Sequence, residues 1–173
     1  MFKDLLNILR IEKKNYIQDK NLFLVYLIEP RFRVNVYFRL GKYLSTKKNI
    51  FAKIYKKYLQ NLLMIKYGFH TTFDVQIGIG LRIVHLGGIN IHGNAIIGEN
   101  FTVLDNVSIG QAKRRDGENV PTIGNDVYVG SCSKIVGKIK VGDNVTIGTM
   151  TLVNKDVADN QTVVGIPFKV ISQ

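Results

Sequence analysis

Few side chains of this sequence are suited to chemistry near neutral pH: three histidines, His70, His85 and His92, and one cysteine, Cys132. Imidazole takes up and releases a proton in that range, so a histidine beside an alcohol can act as a general base. His85 stands out by its setting. In "IGLRIVHLGGINIHG" (79–93), Ile79 and Ile91 lie six residues to either side, and the slot between them asks for an aliphatic residue. A histidine there is either a core residue with its hydrogen bonds satisfied or a base held in place by the repeat. Cys132, in "GSCSK", has no histidine close by in sequence, which argues against an activated nucleophile. His92 falls at a turn and reads as solvated.

What must position His85 is a six-residue repeat. Stepping by six gives Ile79, His85, Ile91, Ile97, Val103 and Ile109, then Ile123, Val129, Ile135, Val141, Ile147 and Val153. A second register, four residues on, is mostly small or β-branched, as at Ala95, Val107, Ser133, Val145 and Thr151. Such runs favour extended chain, and the glycines that recur between them allow corners with unusual dihedrals. Three flats and three corners close a coil of about eighteen residues, and only stacked coils bury the inward ladder. The fold class is therefore mainly β, a parallel β-helix. Counting flats places His85 on one with Val103, Val129 and Ile147. The fourteen-residue step from Ile109 to Ile123 contains the polar "GQAKRRDGENVPT", so a loop is expected to protrude at 110–121.

The charge divides the chain. Residues 1–67 hold 15 Lys and Arg against 4 Asp and Glu, whereas 68–173 hold 9 of each. Two parts follow: a basic α-helical region over 1–67 and the β-helix over 68–173. In the first, "FRVNVYFRLGKYL" and "IFAKIYKKYLQNLLMIKY" space apolar residues by three and four, giving two or three amphipathic helices with breaks near Pro30 and at 45–49. Their lysines form a solvated face that packs on the β-helix or on another subunit, or a peripheral contact with anionic lipid. Nucleic acid is not expected as a partner, since no nucleic-acid motif is present. The run "LFLVYLI" is too short to span a bilayer, which takes about 20 residues. With one cysteine and no signal peptide, a cytoplasmic protein is expected, at most touching the inner face of the membrane.

Over roughly residues 67–171 the sequence resembles the hexapeptide-repeat acyltransferases, and within them the serine acetyltransferase type and its relatives that O-acetylate capsular and other surface sugars. "IGIGLRIVHLGGINI" resembles the histidine-bearing coil, the fourteen-residue step the acceptor loop, and "TVVGIPFKVI" the closing segment, with Phe168 where that segment has alanine. The resemblance implies a left-handed helix, although the general crossover rule favours the right hand. It also implies a homotrimer, acetyl-CoA as co-substrate and His85 as the base for direct attack on the thioester. By the same match Gly110, Ala112, Gly130, Ser131, Gly148 and Lys169 would line the acetyl-CoA groove, small residues admitting the pantetheine arm and a cation for its phosphates. The loop and the base are then expected to meet across subunits.

Departures from the pattern bear on the acceptor. The Arg-His pair of the serine enzymes' loop is Asn119 and Val120 here, and the aspartate before the histidine is Val84. The carboxylate that orients the histidine falls at His70, with Asp74 as a substitute. Asp74, Arg114 and Asn119 are the expected acceptor contacts. With the groups for an amino acid's ammonium and carboxylate missing, the expected acceptor is a sugar hydroxyl of a surface polysaccharide. Serine O-acetylation and a non-catalytic scaffold are the alternatives. The zinc carbonic anhydrases built on this helix need three convergent histidines. Spacings of fifteen and seven residues do not match that site, so no metal is expected.

Overall fold

In a computed structural model, the structure describes residues 2–112 and 119–172. Four helices come first: α1 (Phe2–Lys13), α2 (Leu22–Ile28), α3 (Pro30–Ser45) and α4 (Ile50–Tyr67). Their boundaries follow from capping. Asn21 and Asn49 accept the N–H of Leu24 and Ala52 at 2.8 and 2.7 Å, each satisfying an orphan donor of the first turn. Glu29 ends α2 and caps α3, whose first residue, Pro30, has no N–H to lose.

The strands that follow form three sheets, one per flat. The first contains β1 (Phe69–His70), β4 (Ile89–Ile91), β7 (Ser108–Gly110), β10 (Lys134–Val136) and β13 (Leu152–Val153). The second contains β2 (Gln76–Ile77), β5 (Ile96–Ile97), β8 (Thr122–Ile123) and β11 (Lys140–Val141). The third contains β3 (Arg82–Ile83), β6 (Thr102–Val103), β9 (Tyr128–Val129), β12 (Thr146–Ile147), β14 (Thr162–Val164) and β15 (Lys169–Ser172). Pairing is parallel throughout, except that β15 folds back antiparallel on β14. The result is a left-handed β-helix. Its corners are turned by Asn100, Asn106, Asp126, Asn144 and Asn160 at φ of 55 to 62°, a region that Asn and Asp enter more readily than other side-chain-bearing residues.

The register corrects one expectation. Ile77 pairs with Ile97, Ile83 with Val103 and Ile91 with Ile109. The inward ladder therefore runs through Ile77 and Ile83, both buried, and His85 is outside it. Ile83, not His85, shares the flat of Val103, Val129 and Ile147. The physical cause is a corner, 84–88, with two more residues than the repeat allows. Counting back by six from Ile91 thus lands two residues late, on His85 and Ile79.

The helices close the N-terminal end of the prism. β1, β2 and β3 are terminal strands of their sheets, and such edges leave backbone groups without a ladder partner. Side chains of α1, of the turn after it and of α3 take that place. Arg39 donates to the carbonyls of Ile77 and Gly78 at 2.8 and 2.5 Å, and Asn35 to that of Leu81 at 2.7 Å. Leu81 N–H donates to Glu12 and Ile83 N–H to the Tyr16 hydroxyl. Glu12 and Arg39 form an ion pair at 2.5 Å inside this network. Apolar packing joins the two regions as well: Val34, Phe38, Leu59, Leu63 and Tyr67 belong to the same core as the ladder.

Gly68 makes the turn from α4 into β1. Its φ of 62° is left-handed, and an added Cβ would lie 2.9 Å from Gly87 Cα and Gly88 N. Only glycine combines that dihedral with so close an approach. The helix thus ends directly against the corner that carries His85.

Candidate active site

His85 is exposed at the corner between β3 and β4. The backbone on either side is fixed: Val84 N–H donates to Val103 O at 3.0 Å and Ile89 N–H to Gly68 O at 2.9 Å. Between them Gly87 and Gly88 turn with φ of 111° and 65°. An imidazole offered to solvent from a rigid corner suits proton transfer better than one buried in a ladder.

Three features of this corner were not expected. First, Arg31 reaches across from α3 and donates from Nη1 to Val84 O at 3.1 Å. Second, Glu29 holds Arg31 by a two-point contact, Nε to Oε1 and Nη2 to Oε2, both at 2.7 Å. Glu29, Pro30, Arg31, Val84, His85 and Leu86 line one cavity of about 280 Å³. Third, Asp105 occupies the same corner one coil on, accepting from the Ser131 hydroxyl at 2.7 Å and from Asn106 at 2.8 Å. The Ser131 hydrogen bond is the main cause of its lowered pKa, and the charge of His85 lowers it further. The sequence carried a signal for the first pair: Glu-Pro at a helix start marks Glu29 as a cap and so fixes where its carboxylate points.

The remaining expected residues divide between the two long edges of the first sheet. Gly130, Ser131 and Gly148 follow β9 and β12 on the His85 edge. Gly110 and Ala112 lie at the opposite edge, where β7 runs out into the loop, and Asp74 and Asn119 are on that side too. His70 projects from β1 in register with Asn90, Ser108 and Lys134. It shares a groove of about 400 Å³ with His92, Gly110 and Gln111. Among the described residues His70 makes no hydrogen bond to His85, and Asp74 stands on a different corner from it. Lys169 begins the exposed β15. Arg114 lies outside the described residues. Among the described residues no three His, Cys, Asp or Glu side chains gather as metal ligands, and no helix is long and apolar enough to cross a membrane.

Comparison with known proteins places these features. The family described as bacterial transferase hexapeptide (six repeats) matches residues 121–155. A serine acetyltransferase of Synechococcus elongatus is 32% identical over 171 residues, 99% of this chain and 69% of that protein. One from Helicobacter pylori (strain J99) is 31% identical over 154 residues, 89% of this chain and 88% of its own. Among solved structures, Neisseria gonorrhoeae serine acetyltransferase superimposes with a TM-score of 0.85 at 26% identity, over 99% of this chain and 67% of that one. These relatives overturn the expected sugar or glycan acceptor and its place in polysaccharide synthesis, because they are named for serine. That expectation rested on the β-helix positions Val84, Asn119 and Val120. It took no account of charged groups that the helical region brings to the same corner.

Proposed function

Because the chain belongs to the hexapeptide-repeat acyltransferase family, we propose that it transfers the acetyl group of acetyl-CoA to the hydroxyl of L-serine. The observation that carries this is the similarity to serine acetyltransferases along nearly the whole chain. His85 is the general base. Its imidazole takes the hydroxyl proton as the oxygen attacks the thioester carbonyl, and returns a proton to the sulfur as CoA leaves. Backbone N–H groups of a neighbouring coil steady the oxyanion. No covalent enzyme intermediate is needed, because the thioester carbon is already electrophilic. Asp105, on the same corner one coil on, is the side chain that would tune the imidazole.

The acetyl-CoA contacts are Gly110, Ala112, Gly130, Ser131, Gly148 and Lys169. All but Lys169, which begins β15 of the third sheet, fall on the two edges of the first sheet, so a single acetyl-CoA reaches both sets when it lies between neighbouring copies. A homotrimer supplies that arrangement, and Asn119 then approaches the acceptor from the partner's loop. The basic region has a proposed role of its own. Helix α4 exposes Phe51, Ile54, Tyr58 and Ile65 beside Lys53, Lys56 and Lys57, a pattern suited to peripheral contact with anionic lipid.

Release of free CoA thiol from acetyl-CoA, dependent on L-serine, tests the activity. His85→Ala is expected to lower it by about 10²–10⁴-fold with the melting temperature unchanged, since the side chain is exposed. Turnover that needs a different hydroxyl compound, or survives in the variant, would refute the proposal.

A further inference from the structure

Glu29 and Arg31 stand beside His85 without any part in the chemistry above. We infer that they form the recognition pair for a zwitterionic amino-acid acceptor, Glu29 taking its ammonium and Arg31 its carboxylate. This rests on the reading of His85 as the base for acetyl transfer to serine.

The groove at His85 is of about 280 Å³ and open to solvent, and among the described residues Glu29 and Arg31 are its only lining groups with fixed charges, one of each sign. Together they are neutral. A lone cation or anion bound there would leave one charge unmatched, whereas an acceptor carrying both matches the pair. Valence leaves room for it. Among the described residues Glu29 Oε2 accepts only from Arg31 Nη2, so a lone pair remains. Arg31 Nη1 uses one of its two N–H groups on Val84 O, so the other remains to donate.

The pair is also fixed in advance. Glu29 is held at the helix start by the Arg31 backbone N–H at 3.1 Å, and Pro30 between them has little freedom. Arg31 is tied to the backbone of the residue preceding His85, which holds the charged pair at the corner that carries the base. The Arg31 hydrogen bonds hold the Glu29 carboxyl below its usual range, which keeps it ionised where it would meet an ammonium. Binding by both ends leaves an amino acid's side-chain hydroxyl as the part free to face the imidazole.

The test is steady-state kinetics of the full-length protein with L-serine, comparing wild type with Glu29→Gln. Glutamine keeps the carbonyl oxygen that caps α3, and an unchanged melting temperature checks this. The expected result is a rise in KM for L-serine of about 10-fold or more, as befits loss of a charge-assisted contact, with kcat changed less than threefold. Inhibition by 3-hydroxypropionate, which lacks the ammonium, is expected to be the same in both proteins. An unchanged KM, a loss carried by kcat, or an equal weakening of 3-hydroxypropionate would overturn the inference and leave serine acetylation standing. Wild-type protein that turns over another alcohol but not L-serine would overturn both. Arg31→Lys, which keeps the charge and loses the fork, should raise KM for L-serine and weaken 3-hydroxypropionate together. No effect on either would count against Arg31.

Discussion

Replacing Arg39 by methionine strips the N-terminal end of the prism of its central cation. Arg39 is 6% exposed and its partner Glu12 is fully buried. The substitution removes both contacts to Glu12 and the donors to Ile77 O and Gly78 O. Breaking a buried pair from one side costs about 3–5 kcal/mol, because the remaining charge is left uncompensated. For a chain of this length each kcal/mol lowers Tm by about 2–4 °C, so a fall of about 6–20 °C is expected. Chemical denaturation gives the free energy directly, and calorimetry the temperature. A second change has a defined direction as well. Adding Glu12→Gln to Arg39→Met removes the stranded charge while its side-chain oxygen still accepts from Leu81 N–H, so the double variant should be more stable than Arg39→Met alone. A cost below about 1 kcal/mol for Arg39→Met, or a double variant weaker than the single, would refute the account of this network.

Tyr16 gives a pH prediction. Burial is the main cause that pushes its phenol up, well above the usual value. A folded-state pKa above the unfolded one means its contribution is intact below about pH 10 and is lost as pH rises beyond that. Tyr16→Phe should flatten this alkaline limb of the melting curve and cost about 1–3 kcal/mol at pH 7, by orphaning Ile83 N–H. Gly68→Ala should cost about 1–2 kcal/mol from its left-handed dihedral alone. It should also reduce turnover, since the new methyl group meets Gly87 and Gly88 next to His85; a variant with full activity would contradict that contact. For α4, the full chain should co-sediment with vesicles containing anionic lipid and not with neutral ones, and Phe51→Ser with Ile54→Ser should abolish this; equal sedimentation with both vesicles would reject the lipid contact.

From Ile91 to Val153 the ladder was legible by counting, because every slot of its leading register holds Ile or Val and every step is six apart from the loop. The first coil was not. An insertion of two preserves the in–out alternation of a strand, and Ile77, Ile79, Ile83, Ile89 and Ile91 are chemically identical, so nothing local distinguishes the true register from one displaced by two. His85 was thus singled out for a slot it does not fill. Its exposed corner supports the same chemistry for a different reason. Helices α3 and α4 were legible as amphipathic segments, whereas the break that separates α1 from α2 was not. The polar residues Asn35 and Arg39 are four apart and share a face of α3, while Glu12 stands near the end of α1 and Tyr16 in the turn after it. Their purpose depends on a strand edge more than thirty residues away, which no local pattern announces. Glu29 and Arg31 were missed for the same reason: their importance lies in what α3 faces.

The helical cap has a consequence for protection from exchange with solvent. In a stack of coils the outermost ones open first, because each is held by a single neighbour. His85 belongs to the first coil and would ordinarily sit at such an opening end. With Arg39, Asn35, Glu12 and Tyr16 bonded to its backbone, that coil is clamped from both sides. The amides of Leu81 and Ile83 should therefore exchange as slowly as those of the central coils, and the base is mounted where a bare solenoid would be least steady.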